Sequence, residues 1–153
     1  MRRAQNATGR APVRPGLGIS RRVAALMATL EAKPGAVAKP LSAPKATTPG
    51  VLIYKVMDKM FAILSIRGTQ SVILKCDPNL AHALREQYAG VGHRSHLDKR
   101  FWICVTLEAD VPAREIKRLV EHSYGLVCSG LTRKQKTELD ALPHSKESRR
   151  RAG

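Results

Sequence analysis

The stretch VLIYKVMDKMFAILSIRGTQSVILKC, residues 51–76, holds three runs of β-branched, aliphatic and aromatic residues separated by two short polar breaks. VLIYKVM (51–57) and KMFAILSI (59–66) meet at Asp58-Lys59, and QSVILKC (70–76) follows Arg67-Gly68-Thr69. Runs of this composition bounded by turn residues read as strands. Breaks this short leave no room for a parallel crossover, so the expectation is three antiparallel strands in a meander.

Downstream, Asp77-Pro78 supplies a helix N-cap and a first-turn proline, after which Leu80, Leu84 and Tyr88 recur every fourth residue up to Gly90. That pattern is a short amphipathic helix. Gly90 to Asp98, rich in glycine and histidine, reads as a loop or wing. FWICVTL (101–107) is a fourth strand, with Phe101, Ile103, Val105 and Leu107 on one face and Trp102, Cys104 and Thr106 on the other. Asp110 is placed to cap a second helix with Pro112 in its first turn, and Ile116, Leu119, Val120, Tyr124 and Val127 form its apolar stripe before Gly130. Thr132 with Gln135 has the spacing of a capping box for a last helix that uses Leu139 and Leu142 and stops at Pro143. Strands followed by a helix–strand–helix alternation with short links give an α+β fold, an antiparallel sheet of about four or more strands with helices packed on one face.

Upstream the texture differs. Residues 1–20 carry Arg2, Arg3, Arg10 and Arg14 among prolines and glycines without apolar periodicity, and read as a disordered basic tail. Residues 21–32 suit a short helix, and 33–50 (KPGAVAKPLSAPKATTPG), with four prolines and no aromatic residue, read as a linker. The domain proper is therefore expected over 51–142, with 143–153 as a basic C-terminal tail.

The net charge of +15 is unevenly spread. Residues 1–50 hold nine Lys/Arg against one Glu and 143–153 hold four against one, which leaves only +4 for 51–142. Most of the basic character thus lies in the two ends, where it favours any polyanion without reading its sequence. Cys76, Cys104 and Cys128 show no CxxC spacing, and an odd count in apolar surroundings points to reduced thiols in a cytoplasmic protein. No apolar run reaches the ~18 residues of a membrane span. Ser20-Arg21-Arg22 ahead of VAALMATL could begin an export signal, but Glu31 and Lys33 interrupt the apolar part and the same residues suit an amphipathic helix.

Spacing excludes the usual catalytic constellations. His93 and His96 lie three apart with no cluster of further ligands to complete a metal site. Glu121-His122-Ser123 contains residue types found in triads, yet consecutive helical residues point in different directions. Gly90-Val91-Gly92 lacks the third glycine and the strand-to-helix setting of a dinucleotide loop. The expectation is a non-enzyme without a cofactor or a metal.

Basic residues of the central segment gather at turns and strand ends, where long cationic side chains meet phosphates or keep sheet edges soluble. Lys59, Arg67, Arg94, Lys99 and Arg100 are the candidate nucleic-acid contacts. Trp102 and Phe101 could stack on bases if exposed, and alternation sets at most one of them on each face.

Tyr54-Lys55-Val56, Lys59-Met60-Phe61-Ala62, Leu74-Lys75-Cys76-Asp77-Pro78, Leu84-Arg85-Glu86-Gln87-Tyr88, His96-Leu97-Asp98-Lys99-Arg100-Phe101-Trp102 and His122-Ser123-Tyr124 occur in an order that resembles the MmcQ/YjbR family over about residues 51–135. The resemblance implies a CyaY-like α+β fold in a double-wing arrangement, and with it non-catalytic DNA binding. Where that family usually carries an asparagine, this chain has Asp98. The alternative expectation is an interaction or adaptor domain whose sheet face docks a protein partner.

Overall fold

The computed structural model describes residues 20–41, 50–93 and 96–142. Residues 1–19 of the disordered tail expected over 1–20, the tail at 143–153 and the site residue Arg94 lie outside the described residues, while Ser20 is described and caps the first helix. The chain runs α1 (Arg21–Glu31), β1 (Ala36–Pro40), β2 (Val51–Val56), β3 (Lys59–Ser65), β4 (Ser71–Lys75), α2 (Pro78–Gln87), β5 (Val91–Gly92), β6 (Trp102–Thr106), α3 (Ala113–Ser129) and α4 (Arg133–Ala141). The strands form one antiparallel sheet in the order β1-β2-β3-β4-β6-β5. This is the α+β class the residue pattern predicts, with the β2-β3-β4 meander at its centre.

The meander forms because each strand alternates. Leu52, Tyr54 and Val56 of β2 are buried and join Leu64, Val72, Leu74, Ile103 and Val105 in the core, under Ile116, Leu119, Val120 and Val127 of α3. Tight turning between β2 and β3 comes from Met57 and Asp58, both at positive φ (49° and 68°), the left-handed pair whose twist suits a two-residue hairpin. Asp77 caps α2 through Asn79 and Leu80, and Thr132 and Gln135 form the reciprocal box that opens α4.

Alternation breaks at one place. Tyr54 pairs with Ala62 but Lys55 pairs with Met60, so Phe61 is an extra residue in β3. A bulge of this kind lets two successive side chains share a face, and Phe61 and Ala62 are both fully buried. Phe61 then meets Tyr124 edge-on at 5.3 Å between centroids and Tyr54 at 6.4 Å.

Three readings change. The linker expected over 33–50 contains an edge strand: Ala36–Pro40 pairs with Val56–Leu52 along its length. Pairing on one side needs only backbone groups, and proline is tolerated on an edge, so neither composition nor Pro40 forbids it. With α1 packed on α3, the folded unit reaches back to Ser20. Asp110 does not cap α3, whose N-cap is Pro112 with no side-chain bond; its carboxylate accepts from Ala89 N at 2.8 Å and Gly90 N at 2.7 Å. Those two N–H groups hold its pKa below the usual carboxylate value. Gly90 is required there because a Cβ would lie 2.6 Å from Ala109 Cβ. Finally, β6 begins at Trp102, so Phe101 stands exposed ahead of the strand and is not part of the core face.

Candidate functional site

Helices cover one face of the sheet, and the pairing register identifies what the other face carries. Lys39, Ile53, Ile63, Ile73, Cys104 and Gly92 stand opposite one another in turn and form a row across all six strands. Ile73 and Cys104 are buried yet absent from the core cluster, while Ile53 and Ile63 of the same row are half-buried. Two residues along β2, β4 and β6, and three along the bulged β3, lies a second row, in which Lys55 opposes Met60, and Lys75 opposes Trp102. A third, on the opposite side of the isoleucines, contains Val51, Ser65, Ser71 and Thr106. Among the described residues these rows bear lysines and no carboxylate.

At the Lys75 end the indole of Trp102 is half-buried, with the Lys75 ammonium 5.9 Å from the ring centroid. Trp102 shares the outer face with Cys104 and Thr106, as alternation predicts, and takes no part in the core cluster. Ser123 of α3 bridges the backbones of β3 and β4 here. Its hydroxyl donates to Phe61 O at 2.6 Å and accepts from Lys75 N at 2.9 Å, just beyond the last β3–β4 ladder pair, Ala62 with Leu74. His122 and Glu121, its neighbours, serve elsewhere: His122 Nε2 accepts from Asp77 N at 3.2 Å, and Glu121 pairs with Lys33. The three face three different partners.

The predicted contacts are not brought to one place. Lys59 opens β3 at the same end of the sheet as Lys75, and Lys99 and Arg100 precede β6 at that end. Arg67 follows β3 at the opposite end, beside Gly50. Arg100 is engaged by Asp98, its Nη2 donating to Oδ2 at 2.7 Å and its backbone N to Oδ1 at 2.9 Å, while its guanidinium lies 5.3 Å from the Phe101 centroid. Arg85 of α2 donates to Lys99 O and to Trp102 O, pinning the loop from beneath. Arg100 therefore offers phosphate a guanidinium whose Nε and Nη2 are already engaged by a carboxylate. Lys39, Lys55, Lys75 and the isoleucine row were missed as a unit because each looks ordinary within its own strand, and only pairing register aligns them.

Hydrogen bonds from the Arg100 side chain and backbone hold the Asp98 carboxyl at about 2, below its ordinary 3.8. A lowered folded pKa means that the turn's contribution is complete above about pH 4 and is lost as pH falls through about 2. A carboxyl-detected NMR titration should show Asp98 and the Arg100 Nε–H shifting together in that window. A midpoint at the ordinary value would show the pair to be open in solution.

On the helical side, a groove of about 360 Å³ between α1 and the start of α3 is lined by Leu26, Leu107 and Ile116 together with Arg22, Arg114 and Lys117. Arg22 Nη2 donates to Val111 O at 2.9 Å across its end. Among the described residues no group of three or more His, Cys, Asp or Glu could hold a metal ion, and no helix is long and apolar enough to cross a membrane. Cys76, Cys104 and Cys128 are free thiols, and burial pushes Cys76 up to about 11.

Residues 31–126 match the YjbR family. The chain is 37% identical over 94 residues to the protein YjbR of Escherichia coli K12, covering 61% of this chain and 75% of that one. YbdF of Escherichia coli O157:H7 is 26% identical over 83 residues, covering 54% of this chain and 68% of its own length. Among solved structures, the Deinococcus radiodurans protein DR2400, a DUF419 domain, is 30% identical and superposes with a TM-score of 0.66 over 82% of this chain and 91% of its own.

Proposed function

The chain belongs to the YjbR family, and on that premise we propose that it is a non-catalytic nucleic-acid-binding protein whose contact surface is the open face of the sheet and its Lys75 end. The observation that carries this reading is charge: Lys39, Lys55 and Lys75 stand in rows that hold no Asp or Glu among the described residues, with Lys59 and Lys99 at the rim. Lysines placed only to blunt sheet edges would not need the central strands, and β4 is central. Phosphates met by such a face release counterions, so affinity falls with salt. The protein works on this reading in the cytoplasm, where free thiols stay reduced.

The test is the salt dependence of DNA and RNA binding by the full chain. Changing Lys55, Lys59, Lys75 and Lys99 together to alanine should lower the slope of log K against log salt by roughly 0.7–0.9 for each phosphate that the variant no longer neutralises. Arg67→Ala, at the other end of β3, should leave it unchanged. Equal slopes for the parent and the fourfold variant would mean that the basic ends bind alone, and the reading would fail.

A further inference from the structure

Two adjoining rows of different chemistry share the open face, and a nucleic acid must satisfy both. We infer that the face takes single-stranded in preference to duplex nucleic acid, with Trp102 stacking on one base. The inference rests on the nucleic-acid reading above and specifies its ligand.

A duplex turns its phosphates outward and buries the faces of its bases against one another. Against the lysine row such a ligand is well matched, but phosphates laid on an isoleucine row lose hydration without gaining a partner. A single strand offers both chemistries at once: a charged backbone, and unstacked bases whose faces need apolar or aromatic cover. Here Lys55 and Lys75 lie in one row, and the half-buried Ile53 and Ile63, flanking the buried Ile73, lie in the next, a separation of about 7 Å along β2 and β4. Phosphates can therefore run along one row while bases lie over the other. Trp102 stands in the lysine row beside Cys104 of the isoleucine row, half-buried, with the Lys75 ammonium close to its ring. Because the ammonium lies over the ring, a base stacking on that face displaces it, and the released ammonium meets the phosphate of the same nucleotide. No carboxylate among the described residues of these rows opposes the strand. Hydrogen bonds also fix the backbone here: Ser123 accepts from Lys75 N, the residue opposite Trp102, and Arg85 donates to Trp102 O.

Trp102 is the chain's only tryptophan, so its fluorescence reports on this face and on nothing else. The full chain is titrated with oligothymidylate of roughly a dozen nucleotides, a length within the usual range for single-strand sites, and with a duplex of equal length. The single strand should quench the emission and bind more tightly than the duplex. Trp102→Leu should weaken single-strand binding roughly tenfold, with Trp102→Phe recovering part of the loss, and should leave duplex binding unchanged. The retained duplex affinity would show that the leucine variant is folded and still carries its lysines. If the duplex binds as tightly as the single strand and neither quenches, the inference fails while the nucleic-acid reading stands. If neither ligand shows binding that the lysine substitutions weaken, both fall, and the face belongs to a different class of partner.

Discussion

Phe61→Ala is expected to lower the stability of the protein by about 3–5 kcal/mol, the usual cost of removing a fully buried phenylalanine, whereas Met60→Ala should cost far less. Strict alternation along KMFAILSI would bury Phe61, Ile63 and Ser65 on one side and Met60, Ala62 and Leu64 on the other. The bulge opposite Tyr54 and Lys55 decides differently. Phe61 and Ala62 both enter the core with Leu64, while Met60 and Ile63 turn to the outer face. Phe61 also links α3 to the sheet through the edge of Tyr124, so its removal opens a cavity that backbone pairing prevents from collapsing. Urea denaturation of the two variants is the measurement, with the shift in midpoint read at constant slope. Similar midpoints for both would mean that β3 is paired in a register without the bulge.

Ser123→Ala should produce the second large loss, because one hydroxyl satisfies two backbone groups. Phe61 O and Lys75 N face each other where the β3–β4 ladder ends, and the Ser123 side chain is completely buried between them. Each buried backbone group left without a partner costs about 1–3 kcal/mol. His122→Ala, one residue earlier, removes an acceptor from an exposed N–H and should cost little by comparison. Amide exchange separates local from global effects: the Lys75 N–H should lose its protection in Ser123→Ala beyond the change in global stability. Unaltered protection at Lys75 would show that the strands close directly on each other without the hydroxyl.

Much of this was legible in the residues. The meander over 51–76, the capped helix at Asp77-Pro78, the stripe of α3 and the capping box at Thr132 all follow from periods and end signals that act over a few residues. β1 was not legible, because a strand paired on one side has no side-chain period to declare it, and AVAKP reads as linker when composition is the only guide. Asp110 stood at the right spacing to cap α3, but its carboxylate bonds the Ala89 and Gly90 amides, which lie far away in sequence. The candidate contacts were found as basic residues at turns; that Arg67 stands apart and that Arg100 is held by Asp98 depends on where strands and loop are brought together.

The sequence by itself determined the class of fold, the order of its central elements, the uneven charge and the face on which Trp102 stands, since each depends on alternation, capping or composition within a short segment. Tertiary structure alone decided that Ile53, Ile63, Ile73 and Cys104 form one row beside Lys55 and Lys75, that Phe61 turns inward, and that Ser123 joins two strands. The physical reason is register: hydrogen bonds between strands set which residues stand side by side, and residues far apart in the chain acquire a common surface only when that pairing is made.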